Sequence, residues 1–512
     1  MSIATPQTAQ ATPARSTPLE IASDSLAFGV VFAVALMVIQ RGIGFVRGIL
    51  FCRYMADYEL GQWSMVYSFL MLLAPLAVLG LPGCFGRFIE HYLQRGQAGV
   101  FIRRIARISC ILTLFLASSM YLAPVWYSQI MFRSPDHVAI VNGMAFSIVM
   151  VAACNFLTSL MESMRQVRLA TLMRFCQGVS FAIVGTLFIA FWSDGATAAT
   201  IGFGIACICG SLPALWFLWK HQNVFSCEGV NLTHSAMWRR IAPFAVWLWA
   251  SNLVSNMFEV ADRYMLIHWS PVSAEIAHGY VGQYHSGRVI PLLLVGLAIV
   301  LEGMFLPYMT VLWEKGKQKE ASHQINSTVK LLAIIFTLGA ILIIALSPIL
   351  FDDVLGGKYA GGMAVLPLTL VYCIWSSMFW MWQTYLWVAE KGKLVFAVTG
   401  IGLVANIILN AALIPHMELW GAVIATATAT LISLILLGFA NRMAGSVSDH
   451  RIWLLAAFPV VILFPLWLAS LSAIAVLVTT WKTTWVLNEQ EKGIAVEYAQ
   501  SLKAKVLGRF KK

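Results

Sequence analysis

The chain has 512 residues, 60% of them hydrophobic and only 11% charged, with a formal net charge of +11. That composition excludes a soluble globular domain and indicates an all-α polytopic membrane protein. Nine scattered cysteines, never spaced with histidines as metal ligands are, read as packing thiols and leave no metal site.

Residues 1–26, rich in Thr, Ala, Pro, Gln and Ser, read as a disordered cytoplasmic tail, because no basic segment leads into the first apolar run as in a signal peptide. Runs of about 20 apolar residues, enough to span a bilayer, then follow at 27–50, 62–88, 105–126, 138–161, 175–192 and 196–219. After a polar linker at 221–240 they resume at 241–269, 289–312, 331–351, 363–388, 394–414 and 419–439. The expected domains are an N-lobe at 27–220 and a C-lobe at 241–442, six helices each. The last apolar stretch, 452–487, is long for one helix and short for two, and a basic tail at 488–512 closes the chain.

Charge settles the topology. With the N-terminus in the cytoplasm, 26 of the 34 lysines and arginines fall on the cytoplasmic side and three (Arg53, Arg133, Lys358) on the other. The basic C-terminal tail belongs to the same side, which makes 452–487 two short helices and gives about fourteen in all, both termini cytoplasmic. The net charge therefore marks topology and contact with membrane lipids, with no nucleic acid as partner. The sequons at Asn231 and Asn326 fall on the cytoplasmic side and are expected to stay unused.

The sequence also repeats. Arg53-Tyr54-Met55 with Gly61-Gln62-Trp63 recurs as Arg263-Tyr264-Met265 with Gly282-Gln283-Tyr284, and Gly195-Ala196 with Ala199-Thr200 recurs as Gly421-Ala422 with Ala425-Thr426. The repeats come in one order at one six-helix period, so the lobes are expected to be parallel pseudo-symmetric repeats around a central cavity.

Polar residues inside the spans mark that cavity. Arg41 lies near the middle of the first span, where an arginine costs about 2.5–3.5 kcal/mol unless it faces a cavity, a partner or the interface. The seventh span carries Asn252, Asn256, Glu259 and Arg263 on one helical face, with Asp262 beside them. The eighth adds Arg288 near its outer end and Glu302 deeper. Arg41, Arg47, Arg263, Arg288, Asn252 and Asn256 are the candidate substrate-binding residues of a cationic cavity suited to pyrophosphate. The alternatives are a structural polar seam with a Glu259–Arg263 ion pair, and snorkelling of Arg47 and Arg288 to the outer interface. Glu259, Asp262 and Glu302 are the candidate ion-coupling acids, or else permanent counter-charges. Asn406 and Asn410 read as interhelical hydrogen-bonding groups, and the aromatics Trp375, Phe379, Trp380, Trp382, Tyr385 and Trp387 as packing and interfacial rings. No catalytic set and no phosphate-binding G-x-x-x-x-G-K-[ST] is present, so no cofactor is expected and an H⁺ or Na⁺ gradient, not ATP, is the expected fuel.

Several short motifs carry a family likeness by their order. They are Arg41-Gly42-Ile43-Gly44-Phe45-Val46-Arg47; Leu79-Gly80-Leu81-Pro82 with Arg87-Phe88-Ile89; Ala261-Asp262-Arg263-Tyr264; Val281-Gly282-Gln283-Tyr284; Gly356-Gly357-Lys358-Tyr359 before Val365-Leu366-Pro367; and Asn406 to Asn410 with Leu413-Ile414-Pro415 and Gly421-Ala422. Over about residues 27–445 the chain resembles the polysaccharide (lipid-linked oligosaccharide) flippase family of the multidrug/oligosaccharidyl-lipid/polysaccharide exporter superfamily. The resemblance implies a non-enzymatic, monomeric protein of the bacterial cytoplasmic (inner) membrane. It would move an undecaprenyl-pyrophosphate-linked oligosaccharide to the periplasmic leaflet by ion-coupled alternating access, for exopolysaccharide, O-antigen or other surface polysaccharide synthesis. Polysaccharide polymerase and export machinery are the further partners it implies. A lipid II flippase of peptidoglycan synthesis and a drug/cation antiporter of the same superfamily are the alternatives. A membrane glycan polymerase or ligase is the alternative from another class, against which the short outer loops weigh.

Overall fold

A computed structural model of the chain describes residues 26–192, 194–221, 233–447 and 449–483, and every regular element among them is helical. The expectations for the tail at 1–26, all but its last residue, for the tail at 488–512, for most of the 221–240 linker and for Asn231 fall outside these residues.

Helix ends are set by local chemistry. Helix α1 (Leu26–Tyr54) stops before Asp57, and α2 (Asp57–Ala77) starts with Asp57 and Glu59, acids favoured by the positive end of the helix dipole. The Glu59 carboxylate also accepts the Ala56 N–H at 3.1 Å. Leu79 and Gly80, both at positive φ (50° and 67°), break the span before a turn at Leu81–Cys84 and α3 (Phe85–Gln94). Then come α4 (Ala98–Leu122), α5 (Pro124–Phe132) and α6 (Val138–Ser163). Helix α7 (Val167–Ser180) runs through a π turn into α8 (Thr186–Phe191). Asp194 caps α9 (Gly195–Lys220) by accepting the Thr197 N–H at 3.1 Å.

The second lobe comprises α10 (His234–Trp269), α11 (Ala274–Arg288), α12 (Pro291–Glu314), α13 (Gln318–Pro348), α14 (Ala360–Trp382), α15 (Thr384–Val388) and α16 (Gly392–Met443). The 52 residues of α16 bend at Glu418 (φ 49°, ψ −119°) and so make two spans. Two short pieces end the described chain: α17 (Arg451–Ala457), prolonged by a 3-10 turn to Leu463, and α18 (Leu466–Lys482). Among the described residues nine helices are long and apolar enough to cross a membrane by length and composition. With α1, α10, the second half of α16 and the two C-terminal pieces, the chain is a multi-pass membrane protein of about fourteen spans.

Two expectations are corrected. The eighth span does not start at residue 289: α11 begins it at Ala274, and α12 takes over at Pro291, a residue suited to a first helical turn. The polar run Glu275, His278, Gln283, His285, Ser286 and Arg288 hides α11 from a hydropathy reading, and Arg288 consequently sits mid-span, about 21 Å along from Ala274 at 1.5 Å per residue, not near an outer end. Lys330, counted among loop residues of the basic side, is fully buried within α13 and donates to Asp449 at 2.8 Å. Asn326 is likewise buried, bonded to Val447 and Trp382, where no glycosyl group reaches it.

The repeated motifs meet each other. Helix α2 packs along α11 and α10 of the other lobe, and α1 touches α12. A Cβ on Gly61 would lie 1.9 Å from the His278 carbonyl oxygen, and one on Gly282 would lie 1.8 Å from the Asp57 carbonyl oxygen. Only glycine permits that approach. Of the other repeated pair, Thr200 Oγ1 donates to the carbonyl four residues earlier, and Thr426 Oγ1 lies 2.9 Å from the matching carbonyl of Ala422.

Further bonds join the lobes at the face that bears Arg53, Arg133 and Lys358. Arg133 Nη1 donates to the carbonyls of Ile267, Ser270 and Val272 at 3.2–3.3 Å. Tyr359 Oη donates to Met55 O at 3.0 Å, Lys358 Nζ to Arg53 O at 2.9 Å, and Gln283 Nε2 to Asp57 Oδ2 at 3.1 Å. Toward the basic face a cavity of about 300 Å³ is lined by Pro75, Asn155, Glu162, Arg174, Gln177 and Asn252, among others. The molecule is clamped at one face and hollow toward the other.

Candidate functional site

Four helices from both lobes bring three cations to one buried seam. On α1, the Arg47 guanidinium lies 4.4 Å from the Phe181 ring centroid and 5.9 Å from that of Phe51. On α10, Arg263 is buried and donates to Ser68 Oγ of α2. On α11, Arg288 is buried with its guanidinium 5.1 Å from the Tyr284 ring. His285 lies among them: its Nδ1 is 3.1 Å from Ser64 Oγ, and the charges of Arg263, Arg288 and Arg47 all act on its ring. Ser64 and Ser68 share one face of α2, as His285 and Arg288 share one face of α11, because residues three or four apart stack along a helix. Ser68 also donates to the Ser64 carbonyl at 2.8 Å, fixing the hydroxyl that receives Arg263.

Asp262, the residue before Arg263, turns into the C-lobe, where it is 2% exposed. Its Oδ1 accepts from Asn406 Nδ2 at 2.9 Å and Asn410 Nδ2 at 2.8 Å, and its Oδ2 from Thr426 Oγ1 at 2.7 Å and Tyr284 Oη at 3.1 Å. Four neutral donors thus solvate one buried carboxylate, the condition under which a charge is tolerated at depth. Tyr284 joins the two clusters, with its ring beneath Arg288 and its hydroxyl on Asp262.

The other sequence candidates lie elsewhere. Arg41 is exposed, its Cζ 3.1 Å from the place a Cβ on Gly296 of α12 would occupy, apart from the other three arginines. Asn252 lines the cavity toward the basic face and its carbonyl accepts from Asn256 Nδ2 at 2.8 Å. Glu302 accepts from Gln383 Nε2 at 3.3 Å, between α12 and the joint of α14 and α15. The side chain of Glu259, and with it the Glu259–Arg263 ion pair, falls outside what is described. Sequence reading passed over His285, Tyr284 and Thr426 as site residues; it took Asn406 and Asn410 as interhelical hydrogen-bonding groups, as they are, without naming Asp262 as their acceptor. The four-residue spacing of that asparagine pair, and the place of Thr426 in the internal repeat, were the available signals. Among the described residues no group of three or more His, Cys, Asp or Glu is arranged to hold a metal ion.

The comparisons with known proteins agree with this architecture. The chain is 22% identical over 409 residues to the uncharacterized membrane protein YabM of Bacillus subtilis (strain 168), covering 76% of this chain and 75% of the relative. Its fold is similar to the lipid II flippase MurJ in an inward closed conformation, with a TM-score of 0.69 and 14% identity over 88% of this chain and 98% of that one. It is also similar to an inward-facing multidrug resistance MATE family transporter of the MOP superfamily, with a TM-score of 0.64 and 14% identity over 83% and 98% of the two chains. The fold neighbours are transporters and a flippase, not enzymes. The model of the polysaccharide biosynthesis protein family matches residues 26–313, more than half of the chain, and the protein belongs to that family.

Proposed function

We propose that this protein is a flippase that carries a polyprenyl-pyrophosphate-linked oligosaccharide across the bacterial cytoplasmic membrane, from the leaflet on the basic face to the opposite one. The convergence of Arg47, Arg263 and Arg288 on a buried seam shared by both lobes carries the reading. Three fixed guanidinium groups suit a multiply charged diphosphate and repel an organic cation, which weighs against a drug/cation antiporter. The cavity toward the basic face, which none of these three arginines lines, has Asn155, Thr158, Ser159 and Gln177 in its wall, hydroxyl and amide groups of the kind that hydrogen-bond sugar hydroxyls. The positive-inside distribution puts the basic face, and both termini, in the cytoplasm.

Coupling is assigned to Asp262. Its carboxylate and the Thr426 hydroxyl are hard oxygen donors, and turning the Asn406 and Asn410 amides would add two more, the assignment of amide N and O being set by the network. The Asn410 oxygen has no hydrogen-bond partner among the described residues. Na⁺ on these oxygens, or H⁺ on the carboxylate, would be felt through Tyr284 at Arg288. A second reading, lipid II as cargo, is favoured by the likeness to the lipid II flippase and shares the pyrophosphate chemistry.

Deletion of the gene followed by mass analysis of lipid-linked sugars tests the function. Intact repeat units accumulating on the polyprenyl carrier support the oligosaccharide reading, and accumulating lipid II supports the second. Unextended precursors would instead indicate an enzyme and overturn both.

A further inference from the structure

Far from the arginine seam, a cavity of about 350 Å³ opens at the basic face where α14, α16 and α17 end or begin. We propose that it binds the headgroup of a zwitterionic aminophospholipid, phosphate at Arg442 and ammonium at the Asn441 carbonyl. This site is independent of the transported cargo.

The cavity is built around two indoles. Trp382, in the last turn of α14, and Trp453, at the start of α17, meet edge to face with centroids 5.5 Å apart. They meet over Gly438 of α16, where a Cβ would stand 2.5 Å from Trp453 and 2.9 Å from Trp382. Tryptophan at the end of a span is suited to the bilayer interface, and its π face attracts a cation. Exposed Phe439 and Ile435, about one and two turns of α16 deeper than Arg442, continue the wall toward the bilayer interior and give acyl chains a surface.

The polar groups supply the charge pattern. Asn441, in the wall of the cavity, is 1% exposed; its Nδ2 donates to the Trp382 carbonyl at 3.2 Å, and its buried Oδ1 has no hydrogen-bond partner among the described residues. A buried acceptor of this kind calls for a donor. Asp449, in the same wall, keeps a 20% exposed side chain while receiving Lys330 Nζ at 2.8 Å. Arg442 is exposed on the rim and is shaped for a phosphate. An acceptor, two π faces and a carboxylate next to an exposed guanidinium describe a ligand with a cationic donor one short linker from a phosphate. An ethanolamine headgroup has both. A choline headgroup lacks N–H donors, and a glycerol headgroup lacks the cation.

The test is native mass spectrometry of the full-length protein in detergent, titrated with dioleoyl phosphatidylethanolamine, phosphatidylcholine or phosphatidylglycerol. Phosphatidylethanolamine adducts should survive activation at least about tenfold better than the other two, as a charge-assisted pair predicts. Arg442→Gln, at an exposed site that does not threaten folding, should weaken phosphatidylethanolamine retention, and Asn441→Leu should abolish the preference over phosphatidylcholine. Equal retention of phosphatidylethanolamine and phosphatidylcholine by the wild type, preference for phosphatidylglycerol, or an unchanged Arg442→Gln variant would overturn the proposal, and none of these bears on the flippase reading.

Discussion

The arginines of this chain look alike in sequence and differ in their surroundings. Arg263 is buried against Ser68, whereas Arg41 is exposed beside Gly296, outside the cluster at His285. A hydrogen bond to a charged group is worth about 1.5–3 kcal/mol, so Arg263→Gln should lower flipping in reconstituted vesicles by about one to two orders of magnitude. Arg41→Ala should cost less; an Arg41→Ala variant that loses more activity than Arg263→Gln would shift the headgroup site toward α12. At Asp262 the discriminating pair is Asn and Leu. Asp262→Asn keeps hydrogen-bonding capacity but removes the charge, and should leave a folded protein whose flipping no longer responds to an imposed Na⁺ or H⁺ gradient. Asp262→Leu strands donors from Asn406, Asn410, Thr426 and Tyr284, each unmet donor costing about 1–3 kcal/mol, and should lower the thermal midpoint sharply. The charged residues of the site were legible in the sequence because charge in an apolar run is conspicuous. Asn406 and Asn410 were legible as interhelical hydrogen-bonding groups but not as partners of Asp262, and Thr426 and Tyr284 were not legible, since such residues are ordinary in membrane helices and only tertiary contact shows what they bind.

Helices were legible where hydropathy was continuous and hidden where the function interrupts it. The spans at 138–161 and 196–219 match α6 and α9 within a few residues, whereas α11 was missed because the face that builds the site is polar. The close crossing of α2 and α11 makes its own prediction. Gly282→Val places a side chain where the Asp57 carbonyl stands and should force the clamped face apart. Spin labels at the exposed positions Tyr54 and Ile276 should report a longer distance in that variant, and an unchanged distance would mean the crossing is not what holds that face closed. At the other end, the loop to α17 is anchored by Asp449 on Lys330. Burial pushes the Asp449 carboxyl up, but the Lys330 ammonium and the Arg451 N–H and charge pull it further down, leaving it below the usual carboxylate value. A depressed folded value contributes stability that is present above the unfolded pKa of about 3.9 and lost as pH falls through the lower folded value. The C-terminal helices should therefore loosen only below about pH 4, read by hydrogen exchange across 451–463, and Asp449→Asn should remove that pH dependence.

At the scale of the molecule, an internal repeat of short motifs became a two-lobed bundle in which the repeated glycines face one another. Bonds from Arg133, Lys358, Tyr359 and Gln283 clamp one face, and the cavity opens toward the face that carries most of the positive charge. On the proposed function, such a form would accept cargo from the basic side and deliver it only after the clamp parts, as alternating access requires. The most direct measurement reconstitutes the purified protein in liposomes with a fluorescent polyprenyl-pyrophosphate oligosaccharide and follows its accessibility to a membrane-impermeant quencher. Wild-type protein should expose lipid beyond the share present in the outer leaflet at the start, and the Arg47→Gln, Arg263→Gln, Arg288→Gln triple variant, inserted and folded, should not. Equal transport by the triple variant, or wild-type transport of an organic cation in preference to the pyrophosphate lipid, would contradict the account.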